Sequence, residues 1–279
     1  MSRAEGTTTV APKDRILDTY GLFARDYGGW IAVSGLIALM RELGLDAQSV
    51  RSAASRMKRS GLLVSERVDG KAGYALSAHG NEILEAGDQR IFAGGARLHD
   101  ASWLVVLFSI PESEREKRYF IRSRLARLGF APGPATSWIA PAALLEEART
   151  MLERSGLAGY VTFFEGELRA EGSDSHIASS AWNLDGINKL YEEYLAVHRP
   201  IADAWGAAPD SDRDAFVHHM NNVSSWRPLP YADPGLPRSA TPPGWLADEA
   251  RAVFMKLNRQ LRPGAHRFYL ATAGAAARR

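Results

Sequence analysis

Residues 34–76 read SGLIALMRELGLDAQSVRSAASRMKRSGLLVSERVDGKAGYAL, and they combine two short amphipathic helix patterns with a basic strand pair. The first pattern begins at Ser34, whose hydroxyl can cap a helix N-terminus, and ends at Gly44. Its apolar positions recur with helical spacing at Leu36, Ile37, Met40 and Leu43. This spacing predicts a helix that buries one face and exposes the other.

A second helix is predicted between Asp46, which can act as its N-cap, and Gly61. Its apolar positions are Val50, Ala53, Ala54 and Met57. Residues 62–68 and 74–76 have the composition of strands, and residues 69–73 have that of a turn. Two helices joined through a glycine and followed by a hairpin have the layout of a winged helix-turn-helix. Duplex DNA is therefore the first partner to consider.

Positive charge is concentrated in this part of the chain. Between Ala47 and Gly73, six Lys or Arg residues stand against two acids, whereas the whole chain of 279 residues holds 34 basic and 32 acidic residues. A local excess of cations on a recognition helix and wing matches the requirement for binding phosphate.

The expected DNA contacts fall into two groups. Side chains near the start and on the outer face of the second helix can reach base edges: Gln48, Ser49, Arg51, Ser52, Ser55 and Arg56. Cations farther along the helix and in the wing are expected at the phosphate backbone: Lys58, Arg59, Arg67 and Lys71. Ser34 also belongs to the predicted DNA-binding set. For Arg51, a structural role that holds the second helix against the fold is an open alternative.

Composition excludes several kinds of site. The chain has no cysteine, which excludes disulfides, thiolate metal sites and a cysteine nucleophile. No run of 18 apolar residues occurs, and residues 1–10 lack the apolar segment of a signal peptide, so we expect a cytoplasmic protein without membrane spans. None of the seven histidines forms an HExxH pattern, and GxSxG, Walker and GxGxxG motifs are missing. We therefore predict no metal, no cofactor and no catalytic residue.

A second block, residues 96–178, alternates strand and helix patterns. Strands are predicted at 102–110, 136–140 and 159–164, with a weak one at Phe130, and helices are predicted at 112–128 and 141–155. The resulting order βαββαβ is typical of a ferredoxin-like domain.

The third block, residues 179–279, is mostly helical by pattern. Helices are predicted at 184–205, 211–223 and 246–261, and the proline-rich stretch 226–237 cannot be helical throughout. Together with a first block of residues 1–95, the sequence predicts an α+β chain of three domains.

Three passages, one in each block, resemble the PaaX family of transcriptional repressors, which control phenylacetate catabolism and related aromatic pathways. They are VRSAASRMKRSGLL at 50–63, SIPE at 109–112 with WIAP at 138–141, and WRPLP at 226–230 with PGW at 243–245. The likeness extends over nearly the whole chain after residue 12. It departs from the family at Leu62, where members often have Trp, and at Gly70-Lys71, where they often have Gly-Arg.

The resemblance implies a homodimeric repressor that leaves its double-stranded DNA operator when a small effector binds. In the best-known members this effector is an aryl-CoA thioester, phenylacetyl-CoA. Such a ligand needs cations for its phosphates and an apolar slot for its acyl group. The candidate effector contacts, expected between the second and third blocks, are Arg115, Arg118, Arg122, Trp138, Trp226, Arg227, Tyr231 and Trp245.

Other interpretations stay open. The arginines of 115–127 could form a solvated face paired with neighbouring acids, and the aromatic residues among the prolines could clamp an irregular loop. The winged unit could bind protein rather than DNA. A Cas2-like nuclease shares the βαββαβ order, but such enzymes hold a metal with an Asp near the end of the first strand. Here Ser109-Ile110-Pro111 occupies that place.

Overall fold

The structure is a computed structural model that describes residues 10–93, 102–133, 136–167, 174–206 and 211–273. The chain forms two compact units, each with helices and a sheet. The first comprises residues 1–89, 195–226 and 251–279, and the second comprises residues 90–194 and 227–250. Each unit therefore joins segments that are distant in sequence. The three consecutive blocks stay a prediction, and their first boundary, at 95/96, lies outside the described residues.

The first unit contains the predicted helix pair. Its first elements are α1 (Pro12–Leu22), β1 (Trp30–Ala32), α2 (Val33–Glu42) and α3 (Ala47–Arg59). The prediction that Ser34 caps α2 is wrong, because the buried strand β1 runs directly into the helix and makes Ala32 the N-cap. Ser34 lies exposed in the first turn. Asp46 caps α3 as predicted, and Gly44 takes a left-handed φ of 79° between the two helices.

The hairpin after α3 is tighter than predicted. β2 (Leu63–Val68) pairs antiparallel with β3 (Lys71–Leu76), and the sheet order is β1-β3-β2. Only Asp69 and Gly70 form the turn, with φ angles of 49° and 75°. Two positive φ angles match the type I′ turn that Asp-Gly favours. The predicted turn at 69–73 is therefore wrong in length, since the strand resumes at Lys71. A helix, α4 (Ala78–Asp88), follows and ends in a π turn at Gln89–Ala93.

The second unit is built on a four-stranded antiparallel sheet. Its strands are β4 (Trp103–Phe108), β5 (Ala131–Pro132), β6 (Trp138–Pro141) and β7 (Val161–Gly166), in the spatial order β5-β6-β4-β7. Two helices connect them, α5 (Arg115–Leu128) and α6 (Leu145–Arg154). Their buried side chains, which include Ile121, Leu125 and Leu152, cover the sheet face that carries Leu104 and Val106.

The C-terminal third is helical and belongs to both units. Its helices are α7 (Asp174–Ala181), α8 (Leu184–Ala204), α9 (Asp212–Trp226), α10 (Leu229–Ala232) and α11 (Ala247–Ala273). The predicted end of the last helix at Leu261 is wrong, because α11 continues through Pro263. A proline removes one hydrogen bond from a helix. Burial of Tyr269 and Ala273 beyond it stabilises the helical continuation. No described helix is long and apolar enough to span a membrane.

The core of the first unit is formed by helices from both ends of the chain. Buried side chains of α2 and α3, among them Leu36, Met40 and Met57, belong to one cluster with side chains of α9 and α11. The contributions of α9 and α11 to this cluster are Ala215, Phe216, Met220, Ala265, Tyr269 and Ala273. The predicted recognition helix therefore rests on a core that the N-terminal residues do not complete alone.

Candidate nucleic-acid interface

Helix α3 is fixed at its start by a capping network. The Asp46 carboxylate accepts hydrogen bonds from the backbone N–H groups of Gln48 and Ser49, both at 2.9 Å, and from the Ser49 hydroxyl at 2.6 Å. These bonds, that of the Ser49 hydroxyl first, hold the pKa of the Asp46 carboxyl below its usual value. The Ser49 hydroxyl is thus engaged in the cap, and the backbone of the first helical turn is held in place.

The two faces of α3 differ sharply in burial. Val50, Ala53, Ala54 and Met57 are buried in the core of the first unit. The opposite face exposes Gln48, Arg51, Ser55, Arg56, Lys58 and Arg59, with Ser49 and Ser52 half-buried beside them. The predicted base-reading residues therefore lie together on the solvent side of one rigid helix.

The cations of this surface are paired with no acid among the residues that the structure describes. Within the described parts of the chain, none of Arg51, Arg56, Lys58, Arg59 and Lys71 forms an ion pair or a side-chain hydrogen bond. Among the described residues, no ion pair or side-chain hydrogen bond attaches Arg51 to the rest of the fold. Unpaired, exposed guanidinium and ammonium groups retain their full donor capacity for base edges or phosphates.

The hairpin presents two cations at its tip. Arg67 and Lys71 are exposed, and Arg67 Nη2 donates to the Gly70 carbonyl oxygen across the turn at 3.1 Å. This bond orients the guanidinium along the tip while leaving its other N–H groups available. The tip therefore carries charge in a defined position beside the turn.

The base of the hairpin is attached to the rest of the unit through aromatic residues that sequence reasoning missed. Tyr20 in α1 donates its hydroxyl to the Tyr74 carbonyl oxygen at 2.8 Å, and Trp30 Nε1 donates to the Glu66 carbonyl oxygen at 3.3 Å. Gly73 allows the Trp30 ring to lie against the strand, because a Cβ atom at this position would overlap the ring. These contacts join residues that are distant in sequence, so no local pattern indicates them.

A shallow groove lies beside the hairpin, near the start of α2. It has a volume of about 180 Å³, and its lining includes Val33, Ser65, Arg67 and Tyr74. Pockets that hold drug-sized ligands measure roughly 300–1,000 Å³. The groove is thus too small for an aryl-CoA thioester.

The predicted effector residues lie on several different elements. Arg115 and Arg122 are exposed on α5, whereas Arg118 Nη2 donates to the Ile110 carbonyl oxygen at 3.0 Å and lies 3.6 Å from the Glu112 carboxylate. Trp138 is buried in the sheet core of the second unit. Trp226 belongs to the first unit, where its ring stacks on Phe254 with centroids 4.7 Å apart.

The remaining candidates lie in the irregular part of the second unit. Arg227 is half-buried, Tyr231 is exposed, and the Trp245 ring packs edge-on against Tyr191 at 5.9 Å. Trp245 Nε1 is buried and has no hydrogen-bond partner among the described residues. No ring contact, ion pair or hydrogen bond within the described ranges joins Tyr231 or Trp245 to the α5 arginines.

Arg90 is a positioning residue that the sequence did not single out. Its Nε donates to the Pro230 carbonyl oxygen at 3.0 Å, its Nη2 donates to the Leu128 carbonyl oxygen at 3.1 Å, and its Nη1 pairs with Glu147 at 2.9 Å. The guanidinium carbon also lies 4.6 Å from the centre of the Tyr231 ring. Arg90 therefore holds the short helix α10 against α5 and α6. In the sequence, Arg90 is one polar residue within a helical pattern, and nothing near it indicates its partners.

Residues that could support catalysis or metal binding lie apart. Across the described residues, no group of three or more His, Asp or Glu side chains is arranged to hold a metal. Glu112, the acid nearest the end of β4, is exposed on a 3₁₀ turn. His219 is buried and lies 2.7 Å from Asn258 Oδ1, and burial lowers its pKa to about 4.

Comparison with known proteins gives matches along almost the whole chain. Residues 13–80 match the family model for a PaaX-like protein, residues 97–178 match that for the PaaX protein central Cas2-like domain, and residues 182–271 match that for the PaaX-like protein C-terminal domain. The chain is 24% identical over 273 residues to the transcriptional repressor PaaX of Escherichia coli strain K12, covering 96% of this chain and 86% of that one.

A solved structure has a similar fold. An uncharacterized protein from Mycobacterium tuberculosis superimposes with a TM-score of 0.60 at 20% identity, covering 92% of this chain and 98% of that one. At this identity the likeness concerns the fold alone. The three family matches follow one another along almost the whole chain. They show that the chain belongs to the PaaX family of transcriptional repressors.

Proposed function

We propose that this protein is a sequence-specific DNA-binding repressor of an aromatic-compound catabolic operon. In this proposal it binds its operator as a homodimer and leaves it when a small effector, such as an aryl-CoA thioester, binds. Residues 1–95 form a winged helix-turn-helix domain, 96–178 a ferredoxin-like, Cas2-like central domain, and 179–279 a helical C-terminal domain. Operator DNA and CoA thioesters make the cytoplasm the compartment of action.

The observation that carries the DNA-binding proposal is the outer face of α3. It is exposed, it is capped rigidly at Asp46, and its cations pair with no described acid. An uncompensated basic helix next to a basic hairpin tip fits the major groove and the flanking phosphates of a duplex. A protein-interaction module would need no such excess of unpaired cations.

The roles within α3 follow from position and chemistry. Gln48 and Arg56 can each form bidentate hydrogen bonds with a base, Gln with adenine and Arg with guanine. Ser52 and Ser55 add single hydrogen bonds. Lys58, Arg59, Arg67 and Lys71 contact phosphates, which sets affinity and salt dependence rather than sequence preference.

The test is footprinting on the DNA upstream of the protein's own gene. Simultaneous replacement of Gln48, Ser52 and Arg56 by Ala is expected to abolish the footprint while the fold is retained. The matched control replaces Ser225, Arg259 and Gln260 by Ala, the same residue types on exposed positions of α9 and α11. A footprint that survives the α3 substitutions, or is lost equally in the control, would overturn the assignment of α3.

For the effector, we propose that Arg115 and Arg122 bind CoA phosphates and that Tyr231, Arg227 and Trp245 contact the acyl part. Two observations support this assignment: Arg115 and Arg122 are exposed and pair with no described acid, and Trp245 Nε1 has no hydrogen-bond partner among the described residues. A thermal-shift screen with phenylacetyl-CoA, acetyl-CoA and free CoA tests it, because a ligand that binds the folded state raises the melting temperature. The shift should shrink in the Arg115→Ala, Arg122→Ala double variant; an undiminished shift would remove these residues from the site.

A further inference from the structure

Strand β7 forms one edge of the four-stranded sheet, and no described strand pairs with its outer side. In the order β5-β6-β4-β7 it pairs only with β4. Ser109 N–H donates to the Tyr160 carbonyl oxygen, so these two residues form a hydrogen-bonded pair at the end of the ladder. Hydrogen-bonded and non-hydrogen-bonded pairs alternate along antiparallel strands, and the backbone groups of Phe163 and Glu165 therefore point away from β4. No described residue hydrogen-bonds to those outward backbone groups.

The two edges of this sheet differ in how they are protected. The opposite edge strand, β5, has only two residues and one of them is Pro132. β7 has six residues in unbroken register, VTFFEG, with no proline, no lysine and no bulge. Short strands, prolines, charged side chains (lysine above all) and bulges are the usual means of preventing edge-to-edge pairing. β7 has only the single charge of Glu165, so this edge is competent to pair with another strand.

An exposed apolar patch accompanies the open edge. Phe164 on β7 is 55% exposed and Leu107 on the neighbouring β4 is 40% exposed. Val105, the β4 partner of Phe164, lies on the same face and is half-buried. The face of the sheet that the helices do not cover therefore carries large apolar side chains directly beside β7.

The sequence of β7 suits pairing with itself. In an antiparallel arrangement with the two-fold axis at Phe163, Phe163 lies opposite its own copy, Thr162 opposite Phe164, and Val161 opposite Glu165. No like charges face each other, because Glu165, the single charged residue of the strand, meets valine. A two-fold dimer requires a self-complementary surface of this kind.

We propose that β7 pairs antiparallel with β7 of a second copy of the chain, joining two four-stranded sheets into one of eight strands. The pairing satisfies the outward backbone groups of Phe163 and Glu165, and it brings the two Leu107–Phe164 patches together. The β7–β7 pairing would be the contact surface of the homodimer in the proposed function. It rests on that function only in the experiments that measure operator binding.

The first experiment measures the mass of the full chain in solution by light scattering over a range of concentrations. The wild type is expected at twice the 30.5 kDa of one chain, and Phe164→Lys is expected to dissociate at least tenfold more readily. Because Phe164 is exposed in the single chain, Phe164→Lys should still unfold cooperatively, but its unfolding should depend less on protein concentration than that of the dimeric wild type. The control is Tyr119→Lys on α5, where the side chain is 79% exposed and distant from β7 in sequence; it should remain dimeric.

The second experiment tests the register of the β7–β7 pairing by disulfide formation. The chain has no native cysteine, so any disulfide must join the introduced cysteines. Thr162→Cys and Phe164→Cys single variants are purified separately, mixed and oxidised. In the proposed register these positions form a non-hydrogen-bonded pair with Cα atoms about 4.5 Å apart, which suits a disulfide. Disulfide dimers that form in the mixture and hardly at all in either variant alone support the proposal; their absence from the mixture overturns it.

The outcomes separate this surface from the proposed function. If Phe164→Lys stays dimeric and binds the operator as wild type does, the β7 surface is wrong and the repressor function stands. If Phe164→Lys is monomeric and its operator affinity falls at least tenfold, both are supported. If it is monomeric but the wild type binds no upstream duplex, the surface stands and the proposed function fails.

Discussion

Gly35 in α2 lies directly against Ala273 at the end of α11, so closely that a Cβ atom on Gly35 would overlap the Ala273 carbonyl group. The contact joins the first turn of the predicted helix pair to the last described turn of the chain. Both residues are buried in the first unit. The position of α2 thus depends on a helix that begins more than 200 residues later.

Gly35→Ala is expected to destabilise the first unit by about 2–3 kcal/mol, since overpacking against backbone atoms cannot be relieved by a side-chain rotation. Denaturant unfolding followed by tryptophan fluorescence measures the change. Gly159→Ala is the control, because no described atom lies within 4 Å of a Cβ atom placed there and its φ is not left-handed. Equal stability of the two variants would mean that α11 is not packed against α2.

Truncation tests the shared core directly. A chain that ends at Leu261 loses Ala265, Tyr269 and Ala273 from the cluster that supports α2 and α3. Removal of one large aromatic side chain from a core already costs about 3–5 kcal/mol, so the truncated chain should lose cooperative unfolding of the first unit and bind the dye ANS. A chain that ends at Ala273 is the control. A truncated chain that unfolds like the control would contradict the shared core.

Local sequence patterns predicted most helices and strands well. They failed where contacts between residues distant in sequence determine where a helix begins or ends. The amphipathic face of α3 follows from Val50 and Met57 at helical spacing, and Asp46 is a strong cap, so this helix was predicted with its exposed face. The α5 and α6 helices and the strands around them also follow from local periodicity.

The failures have physical causes. Pro263 correctly signals a missing hydrogen bond, but it cannot signal that Tyr269 and Ala273 will be buried beyond it. Ser34 has the right chemistry for a cap, but β1 enters the helix two residues earlier and takes the cap position. Arg90 and its partners Leu128, Glu147 and Pro230 are dispersed in sequence, so that their contact has no local pattern.

Two buried tyrosines of the first unit provide a matched pair. Tyr20 donates its hydroxyl to the Tyr74 carbonyl oxygen at 2.8 Å, whereas the buried Tyr269 hydroxyl has no hydrogen-bond partner among the described residues. Tyr20→Phe should lower the free energy of unfolding by about 1 kcal/mol, because it removes this hydrogen bond. Tyr269→Phe should leave the free energy of unfolding unchanged or raise it slightly, because this substitution removes a buried hydroxyl that has no described hydrogen-bond partner. Equilibrium denaturation distinguishes the two, and the reverse order would contradict the hydrogen-bond assignment.

At the hairpin tip, Lys71→Ala should weaken binding to operator and to unrelated duplexes alike. The loss of one phosphate contact reduces the slope of log affinity against log salt concentration by about 1. Fluorescence anisotropy at several salt concentrations measures this slope. Lys13→Ala, an exposed lysine at the start of α1, should leave the slope unchanged. A loss confined to one operator sequence would instead make Lys71 a base-reading residue.

Acid should destabilise the first unit through His219. Burial lowers the pKa of this imidazole to about 4 in the folded chain, whereas an unfolded histidine titrates near 6.5. Between these values the unfolded chain binds a proton that the folded chain excludes, so the free energy of unfolding falls as pH decreases from about 6.5 toward 4. A pKa difference of this size corresponds to roughly 3 kcal/mol over the full window.

Denaturant titrations at pH 7.5, 6 and 5 measure this slope. His219→Gln should be less stable at neutral pH but markedly flatter with pH. Some slope should remain, because burial also lowers the pKa of His198 to about 4. His79→Gln, at an exposed position on α4, is the control and should keep the wild-type slope. If His219→Gln and wild type lose stability in parallel, the folded chain binds a proton at His219 as readily as the unfolded chain does. Burial beside Asn258 would then not lower the pKa of His219.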